Sequence, residues 1–204
     1  MKKLGIDFDN TIVIYDELFY KVALERNLIP INFSKNKLKI RNYLRKQNKE
    51  NEFTNIQSEV YGKRIIDANA APNIFEALKK ISNDYEINII SHKTKYPYAG
   101  EKYNLHLAAI NWLEKNNFFS ISGLNIKHKD IYFLPTKEKK LDAINDLNCY
   151  YFIDDLPEIL KYINKKTQRI LYLNNQKMPL KKCWDNTLYN WNELPELVYK
   201  NNYG

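Results

Sequence analysis

The chain has 204 residues, 44% of them apolar and 27% charged, which suits a soluble globular protein with one substantial core or a core plus a small accessory domain. No apolar run approaches the roughly 18–20 residues that a bilayer span needs, and Asp7 arrives too soon for a signal peptide's apolar region, so a cytoplasmic protein with no membrane partner is expected. The formal charge of +8 admits an anionic partner, nucleic acid or a phosphorylated substrate; because Lys, Asn, Ile and Tyr are abundant throughout, it reads first as compositional bias.

The first element is a short apolar strand, with Leu4 and Ile6, that runs into Asp7 and Asp9, followed by Asn10 and Thr11. Alternation along a strand puts residues i and i+2 on one side, so both acids can leave its end facing one pocket. Two such carboxylates repel unless a proton or a cation neutralises part of their charge. Taken alone, the pair fits a solvated acidic turn equally well. A second pair, Asp154 and Asp155, follows another apolar run, Tyr150–Ile153, and favours a shared site over two unrelated turns.

After Ile12–Tyr15, Asp16 is a candidate N-cap for a helix over 17–26, closed by Pro30. Ser34 is the expected cap of a second helix carrying Leu38, Ile40 and Leu44. That helix is very basic: Lys35, Lys37, Lys39, Arg41, Arg45 and Lys46 read either as a solvated face or as positive charge lent to an anionic substrate. Residues 47–52 read as a loop, and Phe53, Ile56, Val60 and Tyr61 as a third helix ending near Gly62.

Pro72 suits the first position of an amphipathic helix through Ile81, which leads to a strand over 87–90 with Ser91 at its end. His92, Lys93 and Thr94 share the loop beyond. A packing helix over 101–116, a strand over 131–134, a helix capped by Thr136 over 137–144, the strand 150–153, a helix over 156–163, a strand over 169–173 and a last helix over 193–199 complete the pattern. Strands alternating with helices predict a parallel sheet covered on both faces. Ligands of such sheets sit beyond the strands' carboxyl ends, where Asp7, Ser91 and Asp154 all fall. Cys149 and Cys183 make no disulfide framework, and His92, His106 and His128 show no zinc spacing.

Asp-Phe-Asp-Asn-Thr-Ile at 7–12 resembles the first motif of the haloacid dehalogenase (HAD) superfamily, and Phe-Ile-Asp-Asp at 152–155 resembles its fourth. The resemblance covers nearly the whole chain. It implies an α/β fold: a Rossmann-like three-layer α/β/α core (1–15 and 71–204) with a parallel sheet and a small helical cap (16–70), inserted after the first strand as a lid over the active site. Ser91 matches the second motif. The third motif is a lysine, for which Lys140 fits the compact spacing to Asp154, with Lys137 and then Lys102 as alternatives.

The resemblance further implies a Mg²⁺-dependent phosphatase of a small phosphorylated metabolite. Asp7 would be the nucleophile, Asp9 the acid and base, and Ser91 and Lys140 the partners of the phosphoryl oxygens. Asp7, Asp154 and Asp155, with the Asp9 carbonyl, would hold the metal, and Asn10, Thr11, His92, Lys93 and Lys137 are candidates for substrate contact. An acid at Asp9 sets the pattern apart from the dehalogenases, which do not need one there. A phosphotransferase, a nucleotidase, or a nucleic-acid-end phosphatase or binder using the basic cap remain open alternatives.

Overall fold

The computed structural model describes residues 1–174 and 178–200. In chain order the strands are β1 (Lys2–Ile6), β2 (Val13–Ile14), β3 (Asn69–Ala70), β4 (Tyr85–His92), β5 (Ile131–Leu134), β6 (Tyr151–Asp154), β7 (Gln168–Tyr172) and β8 (Asn186–Leu188). The helices are α1 (Asp16–Glu25), α2 (Lys37–Lys46), α3 (Glu50–Tyr61), α4 (Ile74–Ile81), α5 (Leu105–Lys115), α6 (Lys137–Asp146), α7 (Pro157–Leu160) and α8 (Leu194–Lys200). They group into two compact units. One holds Met1–Val13, Ala70–Lys93 and the chain from Asn117 onward; the other holds Ile14–Asn69 and Thr94–Asn116.

The first unit is built on a six-stranded sheet in the order β5-β4-β1-β6-β7-β8, parallel at every pairing. β1 lies in the middle, with Ile6 level with Ile89 on one side and Ile153 on the other. A strand covered on both faces needs apolar residues pointing both ways, which is why 151–153 reads as an unbroken apolar run. On one face Ile90, Phe152 and Leu171 pack with Ile144, Ile159 and Leu160 of α6 and α7. On the other, Tyr85 and Tyr151 both donate to the Val198 carbonyl of α8, which packs beside α4. The result is the α/β/α layering expected of such a pattern.

Gly5 faces the crowded side of β1. A Cβ there would lie 2.6 Å from a ring carbon of Phe152 and 3.1 Å from the Cys149 sulfur. Gly5→Ala is therefore expected to cost about 1–3 kcal/mol through overpacking, read as a lowered urea midpoint with an unchanged m-value. Cys149 itself is buried in this layer, and burial pushes its thiol up to about 11, so it serves as a small core residue rather than a reactive one.

The second unit is helical. Phe19 of α1 stacks on Phe53 of α3 at 5.5 Å and meets Tyr61 edge-on. The segment 94–116, assigned to the core from sequence, packs here instead: Trp112 of α5 donates to the Ala68 carbonyl and Lys115 to that of Ile66. The amphipathic stripe on α5 shows that it packs, but not against what.

Several helix ends also differ from expectation. Asp16 does not cap α1; its carboxylate instead accepts from the backbone N–H of Lys37, and Asn36, not Ser34, caps α2. α3 begins at Glu50, inside the expected loop 47–52, because Glu50 pairs with Arg41 and Arg45. Pro72 lies in a turn, since Asn73 takes the left-handed conformation (φ 64°) just before α4. α7 is shorter than the 156–163 reading, and β8, too short and polar to show a period, has no counterpart in it.

Candidate active site

The carboxyl ends of β1, β4 and β6 come together because these strands are neighbours in register. The ladder runs one step past β1, with the Asp7 N–H donating to the Ile153 carbonyl. Asp7 is thereby fixed beside Asp154 and Asp155, and one carboxylate oxygen from each of the three lies within 4.8 Å of the others, all buried. The Asp154 carboxylate also accepts from the Leu156 N–H at 2.9 Å, which fixes its orientation.

Lys140 reaches this cluster from the first turns of α6, whose start is capped by the Thr136 hydroxyl. Its Nζ lies 2.5 Å from Asp7 Oδ1 and 2.6 Å from Asp154 Oδ2, and the side chain is 2% exposed. Burial opposes its charge, but Asp154 and Asp7 outweigh that and hold the ammonium above its ordinary range. Ser91 Oγ donates to the same Asp7 oxygen at 3.0 Å. Burial pushes the Asp7 carboxyl up to about 6 against the pull of Lys140, and Asp154 and Asp9 add to the rise.

Asp9 stands on the turn after β1. Asn10 takes a left-handed conformation (φ 60°) there, its N–H donates to Val13, and the N–H groups of Ile12 and Val13 both donate to the Phe8 carbonyl. Asn10 thus shapes the turn itself. Lys93 Nζ lies 2.9 Å from both oxygens of Asp9.

The other candidates make different contacts. Thr11 is fully buried, and its hydroxyl has no hydrogen-bond partner among the described residues. His92 Nε2 lies 3.2 Å from the Pro135 carbonyl. Lys137 is exposed and paired with Glu158, while Lys102 lies in the helical unit. Of the three lysines weighed for the third motif, Lys140 is the one that meets the carboxylates. The pairing of Lys93 with Asp9 was missed in the sequence, where nothing links residues so far apart except the adjacency of β1 and β4.

This chain has the fold of the haloacid dehalogenase superfamily hydrolases. A haloacid dehalogenase-like hydrolase from Streptococcus pneumoniae aligns over 98% of each chain with a TM-score of 0.59 at 16% identity. The HAD hydrolase YfnB of Bacillus subtilis, solved with magnesium bound, aligns over 97% of this chain and 98% of its own with a TM-score of 0.56 at 11% identity. A 2-haloacid dehalogenase from Pseudomonas syringae aligns over 98% and 99% with a TM-score of 0.51 at 13% identity.

No family model matches the sequence. Ribonuclease E of Buchnera aphidicola is 28% identical over 168 residues, and the match spans 16% of that protein's length. Among the described residues no helix is long and apolar enough to cross a membrane.

Proposed function

We propose that this protein is a hydrolase, and within that class a divalent-cation-dependent phosphatase of a small phosphorylated metabolite. The observation that carries the reading is the buried meeting of Asp7, Asp154, Asp155 and Lys140, with Ser91 on Asp7. Three carboxylates, Asp7, Asp154 and Asp155, meet the Lys140 ammonium, a surplus of two negative charges that one divalent cation would balance. Its donors are hard carboxylate oxygens, which suit Mg²⁺. Asp7, Asp154 and Asp155 would hold the ion, with the Asp9 carbonyl a further ligand by resemblance. When bound, Mg²⁺ supplies positive charge beside the transferring phosphoryl group.

The chain's own residues divide the remaining work. Ser91 and Lys140 both donate to Asp7 Oδ1, leaving Oδ2 as the oxygen aimed at phosphorus. As the bond from Oδ2 to phosphorus forms, the bond from phosphorus to the leaving oxygen breaks, and Asp9 gives that oxygen its proton. Asp9 then takes a proton from the water that attacks the aspartyl-phosphate, releasing phosphate and restoring Asp7. Lys140, with N–H donors to spare, can serve an equatorial oxygen during the transfer, whereas the Ser91 hydroxyl has one proton and serves one only by turning from Asp7.

The basic residues of α2 give little support to a nucleic-acid reading. Arg41 and Arg45 pair with Glu50, and Lys35, just before α2, pairs with Glu17, so three of the six basic residues of 35–46 have carboxylate partners within their own unit.

The test is phosphate release from a panel of phosphorylated metabolites and from p-nitrophenyl phosphate. Activity is expected with Mg²⁺, to fall to background in EDTA, and to return when Mg²⁺ is added in excess. Full activity in EDTA would remove the cation from the reading. Halide release from 2-haloacids without phosphate release from any ester would replace the phosphatase with a dehalogenase.

A further inference from the structure

Sequence reasoning offers Lys93 as a substrate contact; in the structure its Nζ pairs with the Asp9 carboxylate. The Lys93 side chain is 2% exposed, whereas that of Asp9 is 21% exposed. The carboxylate is thus the solvent-reachable member of the pair, and the ammonium the buried one. Nζ lies at the same 2.9 Å from both Asp9 oxygens and 5.3 Å from the Phe8 ring centroid, so an aromatic face and a carboxylate share the same cation.

The two partners differ in what holds them. Lys93 directly follows β4, and its N–H donates to the Leu134 carbonyl at the end of β5, so its backbone is part of the sheet. Asp9 stands on a tight turn whose next residue is left-handed, and its carboxylate swings on two side-chain torsions. A group that must meet a leaving oxygen needs its position set to within about 0.5 Å, and a turn alone does not supply that.

We infer that Lys93 is a positioning residue: its ammonium ties the Asp9 carboxylate to the end of β4 and so aims it at the leaving-group oxygen. This rests on the phosphatase reading above. It adds that proton delivery depends on a strand other than the one carrying the acid. A lysine acting this way affects only the steps that Asp9 performs. A lysine binding substrate affects every substrate and shows in KM.

The experiment compares two aryl esters with Mg²⁺ present. Departure of p-nitrophenolate needs little help from a proton, whereas phenolate, the stronger base, needs much more. Read in the first turnover, before the Asp9-assisted hydrolysis of the aspartyl-phosphate that both esters share, Lys93→Met is expected to slow cleavage of phenyl phosphate by roughly 10–100-fold, part of what general acid catalysis contributes, and of p-nitrophenyl phosphate by less than about 3-fold, with KM unchanged on both. In an Asp9→Asn background the same change is expected to add nothing, because the group it positions is gone. Lys93→Arg keeps the charge and is expected to recover most of the phenyl phosphate rate; Lys93→Gln carries the test should Lys93→Met fail to fold, a selective first-turnover loss supporting the role and an equal loss on both esters opposing it.

Equal losses on both esters with a raised KM, persisting in the Asp9→Asn background, would make Lys93 a substrate contact and overturn the proposal alone. A wild-type protein that releases phosphate from neither ester overturns the phosphatase reading and this proposal with it.

Discussion

Asp7→Asn is expected to abolish turnover while leaving the protein at least as stable as the wild type. The amide keeps the volume of the carboxylate but is no nucleophile, so the covalent route closes, with a loss of roughly 10⁴-fold or more, as is typical when a nucleophile is removed. Stability should move the other way. Burial raises the Asp7 carboxyl to about 6 from the ordinary 3.8, which means that the fold opposes its charge.

A group with a raised folded value contributes stability that is complete below pH 3.8 and lost as the pH climbs through about 6. At pH 8 in EDTA that loss is on the order of 2–3 kcal/mol, and a neutral Asn does not suffer it. The measurements are p-nitrophenyl phosphate turnover and the urea midpoint, both with EDTA and Mg²⁺ arms. Retained turnover in Asp7→Asn would remove the nucleophile from the mechanism. A midpoint well below that of the wild type at pH 8 would show that Lys140 outweighs burial.

The parts of the site that were legible in the sequence are those that strand periodicity positions. Asp7, Ser91 and Asp154 each follow an apolar run, and parallel strands bring their carboxyl ends to one edge, so periodicity alone assembles them. Lys140 was separable from its rivals only in part. Residues 137, 140, 141 and 144 share one side of a helix, and the pattern cannot say which lysine clears the layer above; the structure pairs Lys137 outward with Glu158.

The misplaced features are those fixed by contacts distant in sequence. Asp16 looks like the cap of its own helix, but its carboxylate is claimed by Lys37 of the next one. Glu50 reads as loop until two arginines of α2 are brought beside it, and α5 shows an apolar stripe whose partner, the Ala68 carbonyl region, has no signature of its own. These contacts all fall within the helical unit, where the packing of one helix on another decides them and no sequence period reports it.

Lys140→Met carries the largest expected cost to the fold. The substitution keeps a long, unbranched apolar stem, so packing is nearly preserved and the charge is what is lost. Asp7 and Asp154 are then buried side by side with no ammonium between them. Breaking a buried pair from one side typically costs about 3–5 kcal/mol, and the lower end is expected here because Asp7, already close to neutrality, can take up a proton in place of the lost cation. The deficit should therefore be larger at pH 8 than at pH 5 in EDTA. It should also shrink at pH 8 when millimolar Mg²⁺ is added, since a cation that binds only the folded carboxylates stabilises that state. Urea denaturation at the two pH values, with and without Mg²⁺, reads all of this. A loss that is the same in all four conditions would mean that Lys140 contributes packing alone, and that the acidic cluster neither shares a proton nor holds a cation.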